Sequence, residues 1–188
     1  LASWLVAGLG GRTRRERIAV TVAGVIPDID GIGYPVDWLA ERLGWHTHLY
    51  DWHHIFCHNV GFAVLTVLGV FLAAGRKLRA AALAAVAFHL HLLMDMIGSK
   101  GPQGDSWPVP YLLPFSNAWQ LAFPFQWALD SWQNKSVGVA LLVAALAVTW
   151  WKRCSPLEVF SARMDAALVG MMRRTPPPEP DESPSEPG

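Results

Sequence analysis

The chain has 188 residues, of which 52% are hydrophobic and 16% are charged, and its formal net charge at pH 7 is zero. The length corresponds to about one domain, while the apolar content is high for a soluble globule and typical of a membrane protein. Because a neutral chain has no bulk attraction to polyanions, we expect no nucleic acid among its partners. The high apolar content makes membrane lipid the expected partner.

Five apolar runs predict an all-α fold, a small multi-pass membrane bundle of about five helices. They cover residues 1–11, 18–26, 58–75, 80–98 and 136–151. At about 1.5 Å of rise per residue, each of the last three would be roughly 24 to 29 Å long, enough for a thin bilayer. The first two runs are too short to span alone and are expected to pack within the bundle.

Basic residues predict the orientation of these helices in a bacterial inner membrane. Clusters at 12–17, 76–79 and 152–153 all fall on one face, which the positive-inside rule assigns to the cytoplasm. The N-terminus and the opposite helix ends are then outside, and the C-terminus is cytoplasmic. Cys57 and Cys154 would lie on opposite faces, which excludes a disulfide between them.

Three further segments complete the predicted organisation. The connection 99–135 is rich in proline and aromatic residues and is expected to lie along the outer surface, as an anchor or as the lining of a substrate groove. Residues 155–174 have apolar side chains at helical spacing and predict an amphipathic helix on the cytoplasmic leaflet. Residues 175–188 predict a disordered tail, and residues 1–154 form the membrane domain.

Two pairs of residues carry side chains suited to metal binding. Asp28 and Asp30 follow Pro27 at a predicted turn, where both carboxylates can point toward one cation. His91 and Asp95 are four residues apart in an apolar helix and so share one face. The alternatives are a solvated helix end for the first pair and a structural His–Asp pair for the second.

The stretch "DWHHIFCHN" at 51–59 supplies the remaining candidates. Helical spacing pairs His54 with His58, whereas His53 could reach the same centre only from the preceding loop, and spacing leaves the choice open. We expect the other metal-capable side chains to be structural or solvated, namely His46, His48, Cys57 and His89.

These histidines and aspartates come from three separate helix ends on the predicted outer face. A mixed imidazole and carboxylate set indicates zinc, with manganese or iron as alternatives. The number of candidates suits one or two ions, and such a site can cleave a phosphoester with metal-activated water. Asp30 is a candidate to orient that water.

At these residues the chain resembles the membrane-bound metal-dependent hydrolase family. That family carries the motifs Pro-Asp-Ile-Asp, His-Arg-Gly-x-Thr-His-Ser and His-x-x-x-Asp, which read here as "PDID" at 27–30, "HHIFCHN" at 53–59 and "HLLMD" at 91–95. The resemblance covers about residues 5–115, up to "LLPF". The second motif keeps its two histidines and has His54, Cys57 and Asn59 in place of arginine, threonine and serine.

The resemblance implies a hydrolase distantly similar to zinc-dependent phospholipase C, acting on a lipid-like or phosphoester substrate. It favours His53 over His54. Our catalytic candidates are Asp30 and His53. The metal-site residues that it implies are Asp28, Asp30, His53, His58, His91 and Asp95.

Two other functions compete with this one. Lipid phosphatases with a phosphohistidine intermediate also have a His-x-x-x-Asp element, but their upstream Lys/Arg motif and Pro-Ser-Gly-His turn do not occur in this sequence. The same residues could also form a non-catalytic metal-binding, transport or structural cluster. Transport predicts ionisable residues at midmembrane, and a structural cluster predicts carboxylates without a shared centre.

Overall fold

The computed structural model describes residues 1–49, 53, 55–100, 106 and 108–173, and helices are the regular elements among them. The all-helical prediction is therefore confirmed. The five predicted runs correspond to α1, α2, α4, α5 and α6, and α3 was not predicted. The helices are α1 (Ala2–Gly10), α2 (Arg14–Ala23), α3 (Gly33–Arg42), α4 (Val60–Ala73), α5 (Leu78–Gly98), α6 (Trp132–Lys152) and α7 (Ala162–Arg173), with 3-10 helices at Ile26–Ile32 and Pro156–Val159.

Side-chain caps fix where the main helices begin. The Thr13 hydroxyl accepts a hydrogen bond from a backbone N–H in the first turn of α2, and the Ser131 hydroxyl does the same for α6. At α4 the side-chain oxygen Oδ1 of Asn59 accepts from the Phe62 N–H at 2.9 Å. The Asn59 amide nitrogen also donates to the carbonyl oxygens of Ile55 and Phe56, so the turn before α4 is held against that helix.

Small residues let α1, α2 and α5 pack closely in the centre of the bundle. Ala7, Ala23, Ala84 and Ala87 are fully or almost fully buried there. The tightest approach is at Gly24, where an added Cβ would lie 2.2 Å from the Ser3 hydroxyl oxygen. That hydroxyl donates to the Gly24 carbonyl oxygen at 3.0 Å, so the contact requires glycine at this position.

Two helices in the described part of the chain are long and apolar enough to cross a membrane. They are α5 and α6, each of 21 residues, while α4 is apolar but has 14 residues. At about 1.5 Å per residue α4 is about 21 Å long, and α1 and α2 are about 14 to 15 Å long, against roughly 30 Å for the hydrocarbon core. Three of the five predicted passes are thus shorter than a full span.

Two buried glutamates gather the basic clusters at one end of the bundle. Glu16, 1% exposed, forms ion pairs with Lys77 and Arg79 from the start of α5. Glu158 is fully buried and pairs with Arg17, whose Nη2 lies 2.6 Å from Oε2. These contacts join the cluster at 12–17 to the cluster at 76–79 and to the segment that follows α6.

The C-terminal segment differs from the single predicted helix over 155–174. The 3-10 helix Pro156–Val159 comes first, and α7 begins separately at Ala162. The break has a local cause, since the Ser161 hydroxyl oxygen accepts hydrogen bonds from the backbone N–H groups of Arg163 and Met164 and starts a new helix. Arg174 and the predicted tail at 175–188 lie outside the described residues.

The connection between α5 and α6 is irregular in its described part and is tied to the end of α5. The Asn134 amide donates to the Gly98 carbonyl oxygen at 2.6 Å and accepts from the Trp127 indole N–H at 2.8 Å. Phe115 and Phe125 are 83% and 78% exposed. The location of this segment along the outer membrane surface stays a prediction.

Candidate metal centre

Three separate segments bring two imidazoles and two carboxylates to one place. Asp28 comes from the 3-10 helix Ile26–Ile32, His58 from the turn before α4, and His91 and Asp95 from α5. One ligand atom from each of these residues lies within 4.8 Å of the other three. We call these four residues the four-donor group.

The shortest distances in the four-donor group centre on His91 and His58. His91 Nε2 lies 3.0 Å from Asp95 Oδ2 and 3.3 Å from Asp28 Oδ1. His58 Nε2 lies 3.4 Å from His91 Nε2 and 3.4 Å from Asp95 Oδ2, and 4.0 Å from Asp28 Oδ1. The i, i+4 pairing of His91 with Asp95 is therefore observed as predicted.

These separations fit a divalent cation. Zinc binds imidazole nitrogen and carboxylate oxygen at about 2.0 to 2.2 Å, and tetrahedral geometry then separates the ligand atoms by about 3.3 to 3.6 Å. Distances of 3.0 to 4.0 Å between the His and Asp atoms are close to that separation. The four-donor group thus has the donor chemistry and the spacing of a site for one ion.

The local sequence explains how each donor is held. Pro27 occupies the first turn of its 3-10 helix, where a missing N–H costs nothing, and the Asp28 N–H donates to the Val25 carbonyl oxygen. His58 directly precedes Asn59, the residue that caps α4 and fixes the preceding turn. At the end of α5, the Gln126 amide donates to the Asp95 carbonyl oxygen at 2.8 Å.

Asp30 lies behind His58 and does not supply one of the four donor atoms. Its Oδ2 is 3.2 Å from His58 Nδ1 and accepts from the Cys57 N–H, and its Oδ1 is 2.7 Å from His53 Nδ1. The carboxylate is 4% exposed. Burial raises the pKa of Asp30, but the hydrogen bonds with His53 and His58 lower it by more, so the carboxylate stays ionised.

The contact with Asp30 orients the His58 ring. With Nδ1 directed at Asp30 Oδ2, Nε2 faces His91 and Asp95. The ring is fully buried, which lowers its pKa, and hydrogen bonds to Asp30 and Asp95 raise that pKa to above the ordinary value. A carboxylate on the far nitrogen is the usual support of a metal-binding histidine, because it fixes the tautomer.

The other predicted candidates lie around or away from the four-donor group. His53 lies beside Asp30, with its ring centroid 5.5 Å from that of His58, and His54 falls outside the described residues. His89 lies within hydrogen-bond distance of the Ala85 carbonyl oxygen and the Tyr111 hydroxyl. His46 and His48 are exposed. Cys57 is buried, and burial raises the pKa of its thiol to about 11.

Sequence reasoning missed the residues that support the donors. Asn59 carries a recognisable signal, since asparagine directly before an apolar run is a common helix cap. Gln126 has no such signal, because its contact with the Asp95 carbonyl oxygen spans 31 residues. Away from the four-donor group, the burial of Glu16 and Glu158 was also not predicted, since ionised glutamates are usually exposed.

Comparison with known proteins identifies a family for most of the chain. Neither curated proteins nor solved structures give a match. The family model described as YdjM inner membrane protein matches residues 1–171. This match agrees with the apolar composition and with the two helices long enough to cross a membrane. The chain belongs to the YdjM inner membrane protein family.

Proposed function

We propose that this protein is an integral membrane, metal-dependent hydrolase that cleaves a phosphoester of a lipid or lipid-linked substrate. The observation that carries the proposal is the convergence of Asp28, His58, His91 and Asp95 on one point. Zinc is the expected ion, with manganese and iron as alternatives, and the geometry favours one ion over two. The membrane unit is residues 1–154.

We place the four-donor group at the outer face of the inner membrane. Arg79 and Asp95 lie near opposite ends of α5, about 24 Å apart along the helix axis. At one end of α5, Arg79 pairs with Glu16 within the basic clusters. Because basic residues are enriched on the cytoplasmic side of membrane helices, we assign this end to the cytoplasmic face. This supports the multi-pass arrangement with a cytoplasmic C-terminus, in which α1, α2 and α4 cross as short helices within the bundle.

The bound cation would supply a Lewis acid and a lowered pKa for water at the site. In the proposal, Asp28, His58, His91 and Asp95 hold the ion, and Asp30 positions His58. His53 lies next to this shell, 14% exposed and 2.7 Å from Asp30, and is the candidate to carry a proton to the leaving group. This assignment gives His53 the catalytic role and changes the role of Asp30 from ligand to positioning residue.

The group is open on the side of Asp28. The Asp28 side chain is 55% exposed, whereas His58 is fully buried and Asp95 and His91 are 16% and 13% exposed. A substrate would therefore reach the ion past Asp28. A fully buried group of the same composition would instead favour a purely structural role.

Metal content tests the site directly. The protein purified in detergent, stripped with chelator and reloaded with zinc should hold about one ion per chain, and Asp95→Asn and His58→Ala should each abolish high-affinity binding. His89→Ala is the matched control, because His89 lies on the same helix and contacts Tyr111 rather than the four-donor group. Unchanged zinc content in both site variants would overturn the proposal.

Hydrolysis separates an enzyme from a metal-binding structural protein. Zinc-loaded protein should cleave a phospholipid or a generic phosphodiester, and His53→Gln should reduce turnover while leaving zinc content unchanged. Bound zinc without turnover on a broad phosphoester panel would favour the second candidate, a non-catalytic metal-binding membrane protein. That candidate rests on the same four-donor group.

A further inference from the structure

An apolar groove starts at the open side of the four-donor group. It has a volume of about 570 Å³, within the roughly 300 to 1,000 Å³ of small-ligand sites. Asp28 belongs to its lining, so the groove and the four-donor group share a residue. The apolar lining includes Trp4, Val22, Val25, Ile29, Val159 and Phe160.

Three residues of the groove lining have polar side-chain groups, namely Trp4, Thr21 and Asp28. The Thr21 hydroxyl donates to the Arg17 carbonyl oxygen. The Trp4 indole N–H donates to Glu158 Oε1. Both groups are thus engaged within the protein, and Asp28 is the acidic residue of the lining.

One wall of the groove is formed by the end of α2 and the 3-10 helix that follows, from Thr21 to Ile29. The opposite wall is the segment Pro156–Val159, which the buried Glu158 fixes to Arg17. The wall is therefore held by an ion pair rather than by apolar contacts alone.

We propose that this groove holds an acyl chain of a phosphate-headed membrane lipid whose phosphate lies at the Asp28 end. The inference rests on the proposed function, because a cation in the four-donor group is what would hold the phosphate. Two comparable apolar grooves flank α4, but their linings contain no member of the four-donor group. Bulk lipid could cover those grooves without any preference for a headgroup.

Photocrosslinking in nanodiscs tests the proposal. The probes are phosphatidic acid with a diazirine in one acyl chain and diacylglycerol with the same chains. With zinc-loaded His53→Gln protein, in which hydrolysis of the probe is reduced, phosphatidic acid should label the groove peptides, residues 21–29 and 156–160, at least threefold more than diacylglycerol. Residues 64–71, which line the two grooves that flank α4, should be labelled equally by both probes.

Two valine variants make the test specific to this groove. Val25 and Val64 are 53% and 60% exposed and each lines one groove. Val25→Trp should remove most of the excess labelling by phosphatidic acid, and Val64→Trp should leave it unchanged.

Two measurements on the same samples separate the two proposals. One is labelling after removal of zinc, and the other is the zinc content. Chelation should reduce phosphatidic acid labelling to the level of diacylglycerol. Equal labelling by the two probes in protein that binds zinc, or a preference that survives chelation, would overturn the acyl-chain proposal and leave the metal site standing. Failure to bind zinc would instead overturn the proposed function.

Discussion

The Nε2 atoms of His58 and His91 face each other at 3.4 Å, and Asp95 Oδ2 lies 3.4 and 3.0 Å from them. Two protonated rings at this distance would repel each other. With two neutral rings and His58 Nδ1–H directed at Asp30, His58 Nε2 and Asp95 Oδ2 are both acceptors and compete for the Nε2–H of His91. A cation at the centre would satisfy both nitrogens and the carboxylate. This relationship is the physical basis of the predictions that concern metal.

Removal of the metal should destabilise the protein. A ligand that binds the folded state at 100 times its Kd contributes about 2.7 kcal/mol. We therefore expect chelation to lower the midpoint of thermal unfolding, measured by tryptophan fluorescence in detergent, and zinc to restore it. His89→Ala should respond like the unaltered protein, and a chelator effect of the same size in Asp95→Asn would contradict the assignment.

Asp30→Asn should weaken metal binding without abolishing it. Loss of the carboxylate behind a metal-binding histidine typically costs 10- to 100-fold in affinity, because the ring is no longer held in the required tautomer. The Kd for zinc, measured by competition with a chelating dye, should rise by about that factor. Asp37→Asn is the control, since Asp37 accepts from Thr47 in the loop after α3. An unchanged Kd in Asp30→Asn would show that the contact with His58 is incidental.

The proposed topology can be tested by cysteine labelling. Cys57 and Cys154 are buried and would be replaced by alanine to give a background without thiols. His46→Cys should then react with a membrane-impermeant maleimide in intact cells, and Lys152→Cys should react only after lysis, because the two residues are expected on opposite faces. Labelling of both in intact cells, or the reverse pattern, would contradict the orientation. Both positions are exposed in the structure.

Glu158→Ala should lower the stability of the fold without removing the metal site. Glu158 is fully buried, and Arg17 Nε and Nη2 lie 2.7 and 2.6 Å from its two carboxylate oxygens. Removal of one partner of a buried ion pair costs about 3 to 5 kcal/mol, since the other charge stays buried. Chemical unfolding should show this loss, whereas Glu41→Ala, at an exposed position, should be neutral. Zinc content should stay the same in both variants.

Much of the fold was predictable from apolar periodicity. The runs at 58–75 and 80–98 became α4 and α5 with ends within a few residues, because a long apolar segment must satisfy its backbone within itself. The helix α3 was missed because Gly33–Arg42 has only ten residues, includes Pro35 near its start and contains no long apolar run. The break before α7 depends on Ser161, and such caps compete locally with helix continuation.

The candidate site was predictable in its residue types and only partly in its arrangement. The spacing of His91 and Asp95 determined their contact, since both lie on one helix. The position of Asp30 behind His58 could not be read from spacing, because the two residues are 28 positions apart with α3 between them. Spacing alone likewise paired His58 with His54, whereas His58 precedes α4 and its ring is oriented by Asp30.

The helix α5 carries residues of both polar clusters, Arg79 at its start and His91 with Asp95 toward its end. The rotation of α5 about its own axis must therefore direct Arg79 toward Glu16 and, at the same time, His91 and Asp95 toward Asp28. One residue inserted near Ala85 would turn everything beyond it by about 100° relative to Arg79. The imidazole and carboxylate would swing away from Asp28 while the pairing with Glu16 persisted, so the length of this segment matters as much as its composition.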